Sequence, residues 1–287
     1  MGTGQLHVRG STMDLGITGK TAVVTGGSKG IGNAIANQLA REGANIAICA
    51  RSEGPLAEAA EEIAETHDVE CLPVPADLTQ REDATAFIDA VVDHYGGIDI
   101  LVNNAGSAPG GLLENLTEDD WYKALDLKLM GHVRCTTEAM PHLVESNGVV
   151  VNLIGNDGTK PSPGELAPGA ANAADINMTE ALAKQYGRKG VRVNAVNPGP
   201  VATERWDYLV EIMAEEQGLS FDEAMQIAEN SIPLGRICTP EEVAKVVAFL
   251  ASEQASFVNG GVIDVDGGQE KALLEFETIR AASENLG

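Results

Sequence analysis

The sequence predicts a single-domain α/β fold in which a seven-stranded parallel sheet carries helices on both faces. Three observations support it. Short apolar segments alternate with amphipathic segments along the chain, as expected for parallel strands joined by crossover helices. The first apolar segment ends at a glycine-rich turn that leads into a helix, a connection typical of doubly wound sheets. No interior linker or repeat divides the 287 residues, so we assign one domain to 13–270, with an N-terminal extension at 1–12 and a C-terminal tail at 271–287.

The strands and helices follow in chain order from segment length and periodicity. Short apolar runs bounded by turn residues predict buried strands at 20–25, 45–50, 69–75, 98–102, 149–154, 191–196 and 261–265. Apolar residues at helical spacing predict helices at 31–42, 55–66, 81–95, 119–146, 171–186 and 240–251, with a helical insertion near 206–229. We expect Pro141 to bend or interrupt the long helix. The Gly- and Pro-rich segment 155–169 is predicted to be an irregular loop.

The charge balance limits the classes of partner. Asp and Glu total 43 against 19 Lys and Arg, which gives a formal net charge of −24 at pH 7. Because such a surface repels phosphate backbones and anionic lipid, we expect neither nucleic acid nor membrane as a partner. The sequence contains no run of about 18 apolar residues, so we expect no membrane-spanning helix. Residues 1–12 contain no apolar segment of the kind that forms the core of a signal peptide. The four cysteines show no metal-ligand spacing. We therefore expect reduced thiols, no bound metal and a cytoplasmic location.

The segment 25–32 (TGGSKGIG) joins the first predicted strand to the first helix. Its glycines allow a tight turn and a close backbone approach to a pyrophosphate, whose charge meets the helix N-terminus. The spacing is Gly-x-x-x-Gly-x-Gly, which differs from the commonest dinucleotide fingerprint. The loop predicts dinucleotide binding by Gly26, Ser28, Lys29, Gly30, Ile31 and Gly32.

Four further motifs follow the predicted strands: Asp77-Leu78, Asn103-Asn104-Ala105-Gly106, NPGPVAT at 197–203, and Val265-Asp266-Gly267-Gly268. With the glycine loop, they make the chain similar to the short-chain dehydrogenase/reductase family from about residue 15 to 268. The resemblance implies a Rossmann-type fold, a nicotinamide dinucleotide, a small-molecule substrate and a homodimer or homotetramer. It also implies cofactor contacts by Asp77, Leu78, Asn104, Ala105, Gly106, Pro198, Gly199, Val201 and Thr203.

The cofactor preference follows from the end of the second predicted strand. Sites that prefer NAD place an acidic residue there to hold the ribose 2′-hydroxyl. This chain has Arg51 at that point and Lys29 in the glycine loop. Two cations without a carboxylate favour a 2′-phosphate, so we predict NADP(H) rather than NAD(H).

The catalytic groups of the family are Asn, Ser, Tyr and Lys, the last two as Tyr-x-x-x-Lys. The alkoxide left by hydride transfer needs a proton, and the Lys lowers the pKa of the Tyr that supplies it. Alignment with the family places Lys128 at the Asn, Gly155 at the Ser, Pro168 at the Tyr and Asn172 at the Lys. No tyrosine of the chain has a lysine four residues later. The usual proton relay is absent from the sequence.

The Asn and Lys positions are exchanged between two neighbouring helices, so a positive charge can reach the site from the other side. We therefore name Lys128 and Asn172 as the catalytic candidates, with Lys128 near the nicotinamide ribose or the substrate oxygen. A buried charge needs a partner, and Asp157, Glu165 and Asp175 are the candidates. The alternative is a partly solvated Lys128 in a degenerate site. As titratable groups of the 155–169 loop, Asp157, Lys160 and Glu165 are expected to be solvated rather than catalytic.

Three functions remain open from the sequence. The first is an NADP(H)-dependent oxidoreductase that acts on a carbonyl or alcohol through a non-standard proton donor. The second is a catalytically silent NADP(H)-binding protein that regulates or scaffolds a partner. The third is non-redox chemistry, such as that of a lyase or isomerase, on the same fold.

Overall fold

Seven runs of largely apolar residues form one sheet, and the computed structural model describes residues 13–270 of the chain. The predicted extension (1–12) and tail (271–287) lie outside the described residues. The strands are β1 (Thr21–Thr25), β2 (Asn45–Ala50), β3 (Cys71–Pro75), β4 (Ile100–Asn103), β5 (Val149–Leu153), β6 (Arg192–Pro198) and β7 (Val262–Val265). All neighbouring pairs are parallel, in the order β3-β2-β1-β4-β5-β6-β7. The predicted seven-stranded parallel sheet is confirmed.

The helices connect the strands and cover both faces of the sheet. They are α1 (Gly30–Arg41), α2 (Glu53–His67), α3 (Arg81–Tyr95), α4 (Glu118–Ala124), α5 (Gly131–Ser146), α6 (Leu166–Tyr186), α7 (Glu204–Gln217), α8 (Phe221–Asn230) and α9 (Pro240–Ala251). The strand order reverses between β1 and β4. In doubly wound sheets, this reversal opens a crevice at the carboxyl ends of the strands, where ligands bind.

Two apolar clusters hold the helices against the sheet. Successive side chains of a strand point to opposite faces, and β1 shows this directly. Val24 packs into the cluster that contains Leu39 of α1 and Val247 of α9. Val23 packs into the other cluster, which contains Phe87 of α3. Because both faces of the sheet are covered, all five residues of β1 are buried.

The predicted long helix at 119–146 is present as a continuous helical segment from Glu118 to Ser146, with a π-helical turn inside it. A π-helical turn (Leu125–Met130) separates α4 from α5. We expected Pro141 to bend or interrupt the helix, and the interruption is wrong, because α5 continues through Pro141 to Ser146. Pro141 lies on the exposed side of α5, where water can bond the carbonyl that loses its helical partner.

The segment 155–169 is only partly the irregular loop that we predicted. It contains a 3₁₀ turn at Asn156–Gly158, and α6 already begins at Leu166. Pro168 therefore lies in the first turn of α6, where a backbone N–H has no helical acceptor and its absence costs nothing. The prediction is wrong for 166–169.

A separate apolar cluster lies between α7 and α8. It contains Trp206, Val210 and Met213 of α7 and Ile227 of α8. This cluster gives the segment after β6 its own small core. No helix within residues 13–270 combines the length and the apolar character needed to cross a membrane.

Candidate active site

A cavity of about 960 Å³ lies at the carboxyl ends of the strands, at the place where doubly wound sheets bind ligands. It reaches from Arg51, which follows β2, to Glu165, which precedes α6. All residues predicted to bind cofactor or to act in catalysis line it, namely Gly26, Ser28, Lys29, Gly30, Ile31, Gly32, Arg51, Asp77, Leu78, Asn104, Ala105, Gly106, Lys128, Asn172, Pro198, Gly199, Val201 and Thr203. Gly155 and Pro168, the residues at the family's Ser and Tyr positions, line the same cavity.

The glycine loop forms the centre of one wall of the cavity. Gly26 and Gly30 have φ angles of +68° and +57°, in the left-handed region that favours glycine. A Cβ at Gly26 would also lie 3.1 Å from the Cα of Ala105. Lys29 precedes α1 without a side-chain cap, and the first turn holds no acidic residue. The positive end of the α1 dipole is therefore available to an anion.

The two predicted cations, Lys29 in the glycine loop and Arg51 after β2, differ in their surroundings. The ammonium of Lys29 pairs with Oε2 of Glu204 at 2.9 Å, and both side chains are exposed. Arg51 is exposed and, among residues 13–270, has no ion pair within 4.0 Å. The guanidinium of Arg51 is thus the freer of the two charges at this end of the cavity.

Hydrogen bonds fix the floor of the cavity between β1 and β4. The backbone N–H groups of Asn104 and Ala105 donate to Oγ1 of Thr25, at 2.9 and 3.0 Å. Nδ2 of Asn104 donates to the carbonyl of Thr25 at 2.9 Å. Behind them, buried Asn103 donates to Oδ1 of Asn152 on β5 at 2.9 Å. The segment 103–106 therefore ties three strand ends into one rigid surface.

Lys128 lies in the π-helical turn and lines the same cavity as Arg51. Such turns occur often at functional sites. Its side chain runs past Gly106, where a Cβ would lie 3.5 Å from Nζ. Burial lowers the pKa of Lys128, while the charges of Asp157 and Asp175 oppose that shift. Lys128 is half-buried and, within the described part of the chain, forms no ion pair within 4.0 Å.

Gly155 leaves room for a contact between two other polar side chains. Nδ2 of Asn172 donates to Oδ1 of Asp157 at 2.6 Å. A Cβ at Gly155 would lie 2.5 Å from that oxygen and 2.7 Å from that nitrogen. Burial raises the pKa of Asp157, whereas Lys128 and the Asn172 hydrogen bond lower it. The space beside the family's serine position is therefore filled by an amide–carboxyl pair.

Glu165 is held by its backbone immediately before α6. Its N–H donates to the carbonyl of Ser162 at 3.1 Å, and its own carbonyl accepts from the N–H of Gly169 at 2.8 Å. A β-bridge joins it to Gly111. Burial, reinforced by the charge of Asp157, raises the pKa of Glu165 to about 7. Lys128, Asp157, Glu165 and Asn172 are named below the polar cluster.

The structure corrects three expectations about this end of the cavity. The direct ion pair predicted for Lys128 is wrong, because the carboxylates act on it from more than 4.0 Å away. Asp157 and Glu165 are not solvated loop groups but half-buried walls of the cavity. Lys160 is not solvated either, since it pairs with Asp266 and its side chain is only 18% exposed.

Two cavity residues outside the predicted site residues, Trp206 and Gln269, carry unpartnered polar atoms. Within residues 13–270, Nε1 of Trp206 and Nε2 of Gln269 are buried without a hydrogen-bond partner, as is Oδ1 of Asn172. All three side chains line the cavity. Because unpartnered buried polar atoms are costly, this end fits a ligand with both donors and acceptors. The only signal for these residues in the sequence is their position. Trp206 follows β6, and Gln269 follows the closing motif at 265–268.

The comparisons with known proteins agree with this geometry. The family described as enoyl-(acyl carrier protein) reductase matches residues 16–270. The chain is 34% identical over 250 residues to 3-oxoacyl-(acyl-carrier-protein) reductase FabG of Staphylococcus aureus strain Mu50. That match covers 87% of this chain and 97% of the relative.

Two solved structures share the fold over most of their length. One is L-sorbose reductase from Gluconobacter frateurii, complexed with NADPH and L-sorbose. Its TM-score is 0.86 at 33% identity, covering 91% of this chain and 100% of that one. The other is a variant of actinorhodin polyketide ketoreductase with NADPH, at a TM-score of 0.84 and 32% identity, covering 88% and 97%.

Proposed function

Because the chain belongs to the short-chain dehydrogenase/reductase family, we propose that it is an NADP(H)-dependent oxidoreductase. It acts on a carbonyl or alcohol through a proton donor other than the family's tyrosine. The observation that carries this proposal is the single cavity that joins the glycine loop and Arg51 at one end to the polar cluster at the other.

The residues of the first half of the cavity fit a nicotinamide dinucleotide. The N-terminus of α1 would hold the pyrophosphate, the segment 103–106 would contact the ribose, and Arg51 with Lys29 would hold the 2′-phosphate. The unpartnered donors of Trp206 and Gln269 fit the amide end of the nucleotide. When bound, the reduced nicotinamide supplies a hydride. The NADPH found in the sorbose reductase and ketoreductase structures supports this assignment.

The polar cluster performs the remaining chemistry in this proposal. Hydride addition to a carbonyl leaves negative charge on the substrate oxygen. The ammonium of Lys128 is the cation of the cluster and stabilises that charge. Asn172 orients Asp157 through its 2.6 Å hydrogen bond, and Asp157 in turn contributes to the field that keeps Lys128 charged. Lys128 is therefore a catalytic residue, and Asn172 a positioning residue.

The partners proposed for the chain are a small-molecule substrate and further copies of itself, as a homodimer or homotetramer in the cytoplasm. The support is the family membership together with the acidic surface, which disfavours nucleic acid and anionic membrane. The sorbose reductase of the comparison was solved with L-sorbose, and the relative from Staphylococcus aureus is named as a reductase of 3-oxoacyl groups on an acyl carrier protein.

One observation favours the second candidate, a silent NADP(H)-binding protein, namely that no tyrosine of the chain has a lysine four residues later. The half-buried carboxyls and the ammonium that line the cavity favour the enzyme. Burying these charged groups away from water lowers the stability of the fold. A pocket without catalytic activity gains nothing that offsets this loss.

The proposal is tested by binding and by turnover. We expect fluorescence titration to show tighter binding of NADPH than of NADH. Arg51→Ala weakens NADPH binding by about tenfold, the effect of one charge-assisted hydrogen bond, and leaves NADH nearly unchanged. Arg81→Ala, on the exposed side of α3, is the matched control. We also expect NADPH oxidation with members of a panel of ketones, aldehydes and keto sugars.

Equal affinity for the two nucleotides contradicts the predicted NADP(H) preference. Tight NADPH binding without turnover over the whole panel supports the silent protein instead. Product formation without a change in nicotinamide absorbance supports non-redox chemistry.

A further inference from the structure

We infer that Glu165 is the general acid of this site, delivering to the substrate oxygen the proton that the family takes from tyrosine. The inference rests on the proposed function and names the donor that the proposal requires. It stands on the position of Glu165 in the cavity, on its free carboxyl group and on the three charged groups around it.

The position of Glu165 is fixed without the use of its side chain. Two backbone hydrogen bonds, to Ser162 and from Gly169, and a bridge to Gly111 hold its main chain. A Cβ at Gly110 would lie 3.2 Å from Oε2 of Glu165, so the carboxyl group lies against the 107–111 segment. Among residues 13–270, no side chain or backbone group forms a hydrogen bond with that carboxyl. Glu165 lines the cavity and is therefore free to bond a substrate oxygen.

The surroundings of Glu165 suit a proton donor. Asp157 faces it from the 3₁₀ turn after β5, Arg205 from α7 and Lys128 from the π-helical turn. Burial and Asp157 favour the protonated form, whereas Arg205 and Lys128 favour the ionised form. The balance raises the pKa of Glu165 to about 7. A general acid works best when its pKa is near the working pH. With a pKa of about 7, the Glu165 carboxyl group carries a proton in a large fraction of molecules near neutral pH and is acidic enough to donate it.

In the proposed reduction, hydride transfer and proton transfer together convert the carbonyl to an alcohol. The carbonyl carbon gains the hydride supplied by the reduced nicotinamide, and the C=O π pair moves to the oxygen. That oxygen forms a bond to the proton of the Glu165 carboxyl group, whose O–H bond breaks and leaves a carboxylate. Lys128 and Arg205 stabilise the carboxylate until water returns a proton. In the oxidation direction, the same carboxylate accepts the proton of the alcohol.

The other groups at this end of the cavity are less suited to the role. Oδ1 of Asp157 already accepts a hydrogen bond from Asn172. Burial lowers the pKa of Lys128, while the charges of Asp157 and Asp175 oppose that shift, and the proposal already uses its ammonium to stabilise the substrate oxygen. Tyr208 is the one phenol among the described residues that line the cavity, and it is 61% exposed on α7. It is the rival donor and forms an arm of the test.

The kinetic test compares three variants with the wild-type protein across about pH 5 to about pH 9. For carbonyl reduction, kcat/KM of the wild type falls as the pH rises through about 7, because the ionised Glu165 has no proton to give. Glu165→Gln lowers kcat about 100-fold or more and removes that limb of the profile. Glu114→Gln, an exposed glutamate in the segment before α4, keeps both rate and profile, and Tyr208→Phe keeps the limb.

A second measurement needs neither cofactor nor turnover. Carbon-13 NMR of protein labelled at the glutamate carboxyl carbons, compared with Glu165→Gln, identifies the Glu165 signal. We expect this signal to titrate with a midpoint near 7. Lys128→Met raises the midpoint, because Lys128 stabilises the carboxylate.

Each outcome decides between the proposals. If Glu165→Gln keeps the wild-type rate and pH limb, the inference is overturned while the proposed function stands. Loss of the limb in Tyr208→Phe instead assigns the proton to the phenol and also overturns it. A midpoint near the ordinary glutamate value of about 4.3 removes its physical basis. A wild-type protein that reduces no carbonyl of the panel contradicts the proposed function itself, and this inference with it.

Discussion

At the residue scale, the positions of Gly155, Asp157 and Asn172 depend on one another. The hydrogen bond between Asn172 and Asp157 occupies the volume that a Cβ at position 155 would enter. A serine at 155 is therefore incompatible with the present positions of Asp157 and Asn172. Random loss of single catalytic groups does not require such agreement between neighbours. This agreement supports the proposal of an alternative site that uses Lys128 and Glu165.

The first residue-scale prediction concerns Gly155→Ser. The new side chain displaces the Asp157 carboxyl and the Asn172 amide, so the 2.6 Å hydrogen bond is lost. We expect destabilisation of about 1–3 kcal/mol, as for other overpacked sites. In a chain of this size that lowers Tm by about 2–8 °C, measured by calorimetry.

Gly54→Ser is the control for Gly155→Ser. A Cβ at Gly54 meets no atom within 4 Å, and serine is a better helix former than glycine. Its Tm should therefore stay the same or rise slightly. An unchanged Tm in Gly155→Ser would show that the Asp157–Asn172 pair moves aside freely.

The second residue-scale prediction concerns Lys128→Met, which removes the cation at nearly constant volume. We expect kcat for carbonyl reduction to fall about 100-fold, the usual effect of losing one stabilising group at a developing oxyanion. We expect the Kd for NADPH to stay within about twofold, because the proposed phosphate contacts are made by the N-terminus of α1, Lys29 and Arg51 rather than by Lys128. Stopped-flow reduction and fluorescence titration measure the two quantities.

Lys123→Met is the matched control for Lys128, since Lys123 is exposed and lies one element earlier, on α4. It should leave both kcat and Kd unchanged. If Lys128→Met also leaves turnover unchanged, Lys128 has no part in the reaction and the proposed role of the polar cluster is wrong.

At the scale of elements, the sheet was predictable because it depends on hydrophobic burial. β1 is buried over all five residues, and such continuous apolar runs identify parallel strands without any tertiary information. The glycine turn and the order of the motifs likewise located the cavity lining. Both are local properties of the chain.

The interruptions of the helices were not predictable in the same way. Proline is the strongest local signal for a break, yet α5 passes through Pro141 and α6 begins before Pro168. The departure from α-helical geometry occurs instead in the π-helical turn, which contacts α4, α5 and α6. This turn carries Lys128, so tertiary contacts set the orientation of the one lysine in the polar cluster.

The same limit explains why Glu165 was mistaken for a solvated loop group. Its segment is rich in Gly and Pro, which predicts exposure. The burial of Glu165 comes from the 107–111 segment, more than 50 residues away, through the bridge to Gly111. Burial and the charge of Asp157 raise its pKa, whereas Arg205 and Lys128 oppose the rise, and these three residues come from three other elements. No periodicity within 155–169 contains that information.

At the scale of the whole molecule, the net charge opposes the proposed cofactor. A chain of charge −24 repels an anionic nucleotide at long range. The N-terminus of α1, Lys29 and Arg51 oppose that repulsion within the cavity, where the distances are short. Binding of the proposed cofactor therefore depends on a small cationic region within an acidic surface. The interaction with the nucleotide is attractive near these groups and repulsive at long range.

The acidic surface also leads to the last prediction, that added salt stabilises the fold. Close to neutral pH the excess carboxylates repel one another, and unfolding relieves part of this repulsion by moving them apart. Salt shortens the Debye length from about 10 Å at 0.1 M to about 3 Å at 1 M, which weakens the repulsion. Attractive pairs such as Arg236–Glu242, at 2.6 Å, are weakened less because their charges are in contact. We expect Tm at pH 7 to rise by several degrees between low and molar potassium chloride, in calorimetry at constant protein concentration. Choline chloride should give the same curve if screening is the cause, whereas specific binding of potassium would leave choline without effect. A Tm that is flat or falls with either salt would mean that attractive charge pairs outweigh the repulsion.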